Sequence, residues 1–109
     1  MIIRIWRTQV NASRTTEYEN FAQTYSLPMF RQQEGCLGVL FLRTEKDYAA
    51  LSLWDSIQVV EKLAHSSIYQ ETVQQLQATG LLEGQQAVEV FEVRGGFLDL
   101  QALAATYEG

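Results

Sequence analysis

Four segments of the chain have the side-chain pattern of β-strands. Residues 2–10 and 86–94 mix β-branched and aromatic side chains with polar ones, whereas residues 36–43 are almost entirely apolar. A short polar turn separates 36–43 from 48–54, and this arrangement is typical of a β-hairpin. The pattern therefore predicts four strands, at residues 2–10, 36–43, 48–54 and 86–94.

The segment after the first strand has the period of an amphipathic helix. Tyr18, Phe21, Ala22 and Tyr25 follow one another at the spacing that places side chains on one helix face. Pro28 has no amide hydrogen and its ring clashes with the preceding turn, so we expect it to end or kink this helix.

A second helical region follows the third strand. Asp55 or Ser56 is suited to cap its first helix, and the polar residues 65–67 interrupt the pattern. Ser67, with a glutamine three residues later, resembles a capping box and predicts a further helix that starts near Ile68.

The predicted order of elements is β-α-β-β-α-β, the pattern of an α+β, ferredoxin-like domain. Right-handed connections would place the helices on one face of a four-stranded antiparallel sheet and leave the other face bare. Because the strands carry apolar residues on both faces, that bare face is more apolar than a soluble monomer usually exposes. We therefore expect a homodimer in which two copies pair sheet to sheet.

The domain boundary is predicted at the glycine pair Gly95-Gly96. Residues 1–94 form the domain, and residues 95–109 form a C-terminal tail. The tail has helical spacing after Asp99, which is suited to cap a short helix. Its apolar residues predict that it packs on the body of the chain or on a partner subunit.

Charge and cysteine content exclude several classes of function. The chain carries 8 Lys and Arg against 13 Asp and Glu, and it has no dense basic run, which disfavours nucleic acid and anionic membranes as partners. No segment has the length of a membrane span or the spacing of a metal site. The lone Cys36 cannot form an intramolecular disulfide, and this indicates a reducing, cytoplasmic location.

Four stretches resemble one known family. MIIRIWR at the N-terminus, LSLWDS at 51–56, HSSIY at 65–69 and VEVFEV at 88–93 are similar to the antibiotic biosynthesis monooxygenase (ABM) family of the dimeric α/β-barrel superfamily. The resemblance covers residues 1–94. It implies a homodimer joined through its sheets and a pocket between sheet and helices in each subunit. Some members oxidise phenols or quinols with O₂ and no metal or flavin, whereas others degrade haem or isomerise small metabolites.

Two positions depart from the residues that the resemblance implies. The cofactor-free quinol oxygenases pair an Asn on the third strand with a Trp four residues later, and this chain has Ala50 before Trp54. The haem-degrading members use an Asn on the first strand, and residues 4–8 contain none.

Trp54 and His65 are the predicted catalytic residues. The flat ring of Trp54 could stack on an aromatic substrate, and His65, the only histidine, could take a proton from a substrate hydroxyl. The alternatives are a core aromatic residue at a strand end and a polar residue at a helix end.

Four more residues are predicted to bind substrate: Tyr18, Tyr25, Tyr69 and Arg4. The tyrosine hydroxyls could orient a substrate, and the alternative is an amphipathic helix face. An arginine in a pocket could hold a phenolate or a superoxide-like intermediate. An arginine of the first strand could instead pair with Glu89 or Glu92 of the last strand.

These residues and the resemblance lead to one main hypothesis and two others. The first is a monooxygenase that needs no cofactor and oxidises a small phenol- or quinol-like aromatic molecule with O₂. The second is a dimeric module that binds a small apolar ligand or a protein partner without catalysis. The third is haem binding with slow degradation.

Overall fold

Residues 1–107 are described by the computed structural model, and they contain four β-strands and five α-helices. Residues 108 and 109, the end of the predicted tail, lie outside the described residues. The elements follow in the order β1 (Ile2–Val10), α1 (Thr15–Phe21), α2 (Leu27–Arg31), β2 (Cys36–Arg43), β3 (Tyr48–Trp54), α3 (Ile57–Leu63), α4 (Ser67–Ala78), β4 (Leu82–Glu92) and α5 (Leu100–Tyr107).

The strands form one antiparallel sheet in the order β2-β3-β1-β4. At its centre, Arg4 of β1 lies between Ser52 of β3 and Val90 of β4. Helices α1 to α4 cover the face to which Arg4 belongs, except at its β4 edge, where Val88 and Val90 are 50% and 46% exposed. The predicted α+β, ferredoxin-like fold is confirmed.

The bounds of the first three strands agree with the sequence pattern, and those of β4 do not. This strand begins at Leu82, before the predicted start at residue 86, and it ends at Glu92. Gly84 has a φ of +68° and lies where the pairing with β1 shifts register. A glycine that is typical of a turn therefore allows a bulge within a continuous strand.

Pro28 does not end the first helical region. A π-helical segment, Ala22–Ser26, joins α1 to α2, and Pro28 lies in the first turn of α2. A proline is tolerated there because its missing amide hydrogen would have no partner in a helix start. The chain therefore stays helical to Arg31, and Met29 and Phe30 are buried.

Serine hydroxyls cap the next two helices. The hydroxyl of Ser56 accepts a hydrogen bond from the Val59 amide, as predicted for this cap. The cap of α4 is Ser66, whose hydroxyl accepts from the Tyr69 amide at 3.2 Å. The predicted cap at Ser67 was wrong by one residue, because Ser66 has the extended backbone of a cap and Ser67 is already helical.

The core forms two clusters between the sheet and the helices. The first cluster surrounds Tyr18 and Leu76, and the second surrounds Phe30 and Trp54. The clusters lie at opposite ends of the sheet, because Val10 belongs to the first and Ile2 to the second. The cavity of the candidate site lies between the two clusters.

The opposite face of the sheet carries apolar side chains. We call it the outer face. Leu40 and Phe91 are each 46% exposed there, and Leu51 and Ile5 pair with each other at its centre.

The tail leaves the sheet after Val93 and ends in α5. The carboxylate of Asp99 accepts a hydrogen bond from the Ala102 amide at the start of this helix. Phe97 is 92% exposed and Leu100 is 70% exposed. Within residues 1–107 no helix combines the length and apolar character needed to cross a bilayer.

Candidate functional site

A cavity of about 80 Å³ lies between the two core clusters. Arg4, Trp6 and Ala50 of the sheet form its floor, because alternate residues of β1 and β3 point to the same face. Tyr69 and other residues of α4 form one wall, and Phe30 of α2 contributes another. Exposed glutamine side chains at positions 77 and 86 also line it, so the cavity reaches the surface between α4 and β4.

Arg4 is the only charged residue among the described residues that line this cavity. It is 8% exposed, and its Nη2 donates a hydrogen bond of 3.0 Å to the hydroxyl of Tyr69. The guanidinium carbon lies 5.6 Å from the centre of the Tyr69 ring, within the range of a cation–π contact. The two side chains therefore form one polar unit in an otherwise apolar wall.

Tyr18 contributes a second polar group. Its ring packs against Tyr48 with 4.7 Å between ring centres, and the Tyr48 hydroxyl donates to Glu19 at 3.1 Å. Burial, with a smaller contribution from Tyr48, raises the pKa of Tyr18 to about 12. The Tyr18 hydroxyl therefore keeps its proton at neutral pH and can act as a hydrogen-bond donor.

The predicted substrate-binding residues divide into two groups. Arg4, Tyr18 and Tyr69 line the same cavity, although they come from β1, α1 and α4. Tyr25 does not line it: its side chain is 52% exposed and packs on Phe21 with 5.0 Å between ring centres. The alternative pairing with Glu89 is made by Arg7 of β1, at 3.1 Å on the exposed surface.

The two predicted catalytic residues do not line the cavity. Trp54 is 0% exposed, donates its indole N–H to the Ser52 hydroxyl at 2.8 Å and packs edge-on against Phe30. His65 is exposed in the turn between α3 and α4. Neither Trp54 nor His65 therefore reaches a ligand in the cavity of the same chain, and their catalytic roles stay predictions.

Several residues of the cavity were not among the predicted site residues. Trp6 lies two residues from Arg4 on the same strand face, and Thr72 and Val73 follow Tyr69 at helical spacing. The alternation of side chains along a strand and the spacing of side chains along a helix face could have predicted these three residues from Arg4 and Tyr69. Phe41 comes from the other strand of the hairpin, and its place beside Ala50 depends on the exact register of that hairpin, which the predicted turn alone does not fix.

Ala50 occupies the floor of the cavity beside Trp6 and Phe41, with which it pairs across the sheet. The resemblance to the quinol oxygenases implies an Asn at this position. In this chain a methyl group stands there, and the polar groups of the cavity come from Arg4, Tyr69 and Tyr18 instead.

Comparison by sequence finds no relatives. No family model matches the chain, and no curated protein matches it.

Comparison by structure finds many proteins with the same fold. A protein from Deinococcus radiodurans, provisionally named an antibiotic biosynthesis monooxygenase, aligns with a TM-score of 0.73 and 13% identity over 90% of this chain and 97% of its own. A mutant of SnoaB, a cofactor-independent oxygenase from Streptomyces nogalater, aligns with a TM-score of 0.68 and 18% identity over 87% of this chain and 94% of its own. Rv0793 from Mycobacterium tuberculosis aligns with a TM-score of 0.69 and 15% identity over 87% of this chain and 96% of its own.

These identities are low, and the likeness therefore concerns the fold. The chain has the fold of the antibiotic biosynthesis monooxygenase proteins, and the resemblance predicted from the sequence is confirmed at that level.

Proposed function

We propose that the chain is an oxygenase that oxidises a small phenol- or quinol-like molecule with O₂ and needs no metal or organic cofactor. The observation that carries this proposal is the cavity between sheet and helices, which joins aromatic walls to a buried cation and a tyrosine donor. The fold supports it, because SnoaB, with the same fold, is named a cofactor-independent oxygenase.

Each part of the cavity has a role in this reaction. Trp6 and Phe30 offer flat apolar surfaces on which an aromatic ring can stack, and they exclude water from it. Arg4 stabilises the oxyanion that forms when a substrate hydroxyl loses its proton. The electron-rich anion then forms a bond from a ring carbon to one oxygen atom of O₂. The ring is oxidised to a hydroxyquinone and so supplies all the electrons that O₂ accepts, and the other oxygen atom leaves as water with two hydrogens of the substrate.

Substrate entry requires the cavity to widen. Its volume of about 80 Å³ is below the ~150 Å³ of an engineered protein cavity that holds benzene. Gln77 and Gln86 are exposed at the cavity surface, and movement of their side chains is the smallest change that admits a ring. A single-ring substrate is therefore favoured over a polycyclic one.

We also propose that the working unit is a homodimer joined through the outer face. The apolar residues that the face exposes, such as Leu40 and Phe91, support this assembly because pairing would remove them from water.

Oxygen uptake tests the enzymatic proposal. Single-ring hydroquinones should be oxidised faster with the protein than without it, and the tricyclic anthrones should be oxidised more slowly than the hydroquinones because the cavity is small. Tyr18→Phe and Tyr69→Phe should each lower kcat/KM by about 10-fold, the usual scale for losing a positioned hydroxyl. Tyr25→Phe is the comparison, because the same atom is removed outside the cavity, and its kcat/KM should stay within about 2-fold. Equal losses in the three variants, or no uptake with any substrate, would refute the proposal.

A non-catalytic binding module is the second candidate, and Ala50 favours it. A methyl group at the cavity floor can neither donate nor accept a hydrogen bond to the reacting atoms. Such a module should show a rise in Tm with ligand, as binding to the folded state requires, with no consumption of O₂.

A further inference from the structure

Arg4 differs in burial and in charge pairing from the other arginines that the structure describes in strands and turns. Arg7, Arg14, Arg43 and Arg94 are partly or largely exposed, and each has a carboxylate oxygen within 4.0 Å. Arg4 is buried, and within residues 1–107 no carboxylate lies that close to it. Its positive charge has no negative partner in the described part of the chain.

A buried cation of this kind is costly for the folded chain. Removing a charge from water is unfavourable unless an opposite charge and hydrogen bonds replace the solvent. The hydroxyl and ring of Tyr69 compensate only in part, because both are neutral. An arginine keeps its charge at any ordinary pH, so it cannot relieve the cost by losing a proton.

The free hydrogen-bond donors of Arg4 belong to the cavity. Nη2 donates to Tyr69, and Nε and Nη1 have no partner among the described residues. Neither nitrogen is sealed from solvent, since no fully buried side-chain nitrogen within the described residues lacks a partner. Nη2 carries a second N–H group that Tyr69 does not take, and this group lies parallel to an N–H of Nε or of Nη1, so such a pair matches the two oxygens of a carboxylate.

We propose that the cavity binds a small aromatic carboxylate, with the carboxylate on the free N–H groups of Arg4 and the ring against Trp6. The inference rests on the proposed function for the aromatic ring, and it narrows the substrate class to acids that are ionised at neutral pH. A neutral quinol would leave the Arg4 charge without a partner. A doubly charged phosphate would require more cations than this cavity has.

Tyr18 indicates what the other end of the ligand carries. Its hydroxyl makes no hydrogen bond to a described residue, and it lines the same cavity as Arg4. Tyr18 belongs to the first core cluster, whereas Tyr69 packs against the second, so the two polar groups face a ligand from different ends. A ring with a carboxylate at one end and a hydroxyl oxygen at the other matches both, as in the hydroxybenzoates. In such a ligand Arg4 holds the carboxylate, and the Tyr18 hydroxyl donates to the phenolate oxygen in place of Arg4.

Calorimetric titration with matched pairs of compounds tests this inference. The probes are 4-hydroxybenzoate and 3,4-dihydroxybenzoate, each compared with its carboxamide, which has the same shape and no charge. The acids should bind the wild-type chain at least about 10-fold more tightly than the amides, the scale of a hydrogen bond to a charged group. Equal affinities, or no binding of any of the four compounds, would overturn the inference.

Arginine variants assign the preference to one side chain. Arg4→Gln should weaken acid binding about 10- to 100-fold and change amide binding by less than about 3-fold. Arg94→Gln removes the same charge from an exposed site and should change neither. Unchanged acid binding in a folded Arg4→Gln chain would overturn the inference. If that variant does not fold, the comparison of acid with amide on the wild-type chain decides alone.

Oxygen uptake separates this inference from the proposed function. Arg4-dependent binding of the acids without O₂ consumption would support the carboxylate site and overturn the oxygenase. Oxidation of neutral hydroquinones by a wild-type chain that binds the acids no more tightly than the amides would support the oxygenase and overturn the carboxylate site.

Discussion

Ser52 connects the core tryptophan to the strand that carries Arg4. The Trp54 indole donates to the Ser52 hydroxyl, which donates in turn to the backbone carbonyl of Arg4 at 3.3 Å. Both Ser52 and Trp54 are fully buried, so this chain of hydrogen bonds has no competing water. Trp54 therefore has a structural role beneath the site: it fixes the backbone that presents Arg4 to the cavity.

Exchange of each tryptophan for phenylalanine should separate stability from binding. Trp54→Phe removes the hydrogen bond to Ser52 and leaves a void, and it should lower the free energy of unfolding by about 1–3 kcal/mol. Trp6→Phe is the matched variant at a half-buried position of the cavity, and it should cost less stability and weaken ligand binding more. Denaturant unfolding and calorimetric titration measure the two effects. The opposite ranking would show that Trp54 contacts the ligand.

The elements around α2 and α3 depend on one glycine. Gly35 follows α2 with a φ of +79°, and a Cβ there would lie 2.7 Å from a methyl group of Val59. Its carbonyl accepts from the Asp55 amide at 2.9 Å, just before α3. The positive φ and the close approach both require glycine.

Gly35→Ala should therefore destabilise the fold. The left-handed backbone costs roughly 1–2 kcal/mol for alanine, and the contact with Val59 adds strain, so we expect a loss of about 2–4 kcal/mol. Gly95→Ala is the control, because Gly95 has no positive φ and no atom within 4 Å of an added Cβ. Urea unfolding of both variants measures the difference, and a loss below about 1 kcal/mol at Gly35 would contradict this account.

The sequence pattern predicts the elements better than the site. The bounds of three strands follow from the side-chain pattern, because burial in the sheet imposes it, and the topology follows from the order of the elements together with right-handed connections. The start of β4 does not, since a positive-φ glycine such as Gly84 suits a bulge as well as a turn. The cavity depends on which strands pair: Trp6 meets Ala50 through a pairing of strands that are distant in sequence, and Phe41 meets Ala50 through the register of the β2–β3 hairpin. The sequence around a polar residue such as His65 does not show whether its side chain is exposed in a turn or lines a cavity.

Across the whole molecule, charge and apolar surface are distributed unevenly. Residues 1–54 carry six basic and five acidic side chains, a net of +1, whereas residues 55–109 carry two and eight, a net of −6. Two acidic residues of β4, Glu83 and Glu89, pair with β1 at the outer face, and Arg7 neutralises Glu89. The centre of the outer face, around Ile5 and Leu51, is therefore close to neutral as well as apolar, and two such centres can approach without strong repulsion.

A charge at the centre of the outer face should prevent the proposed pairing. Leu51→Lys buries an unpaired ammonium group in a sheet-to-sheet interface and should weaken dimerisation at least about 10-fold. Ile57→Lys makes the same change at an exposed position of α3 and should leave the assembly intact. Sedimentation equilibrium at micromolar concentration measures both variants. A monomeric wild-type chain would contradict the dimer.

The π-helical segment affects which side chains of α2 line the cavity, independently of what those side chains are. A π turn holds one residue more than an α turn, and each residue advances an α-helix by about 100°. The segment at Ala22–Ser26 therefore sets the rotation of α2 about its axis independently of α1. Met29 and Phe30 point into the core because of that extra residue. We therefore expect that one residue inserted or deleted at this segment would turn other side chains of α2 toward the ligand while Tyr18 on α1 stays in place, so the length of this segment would affect ligand specificity.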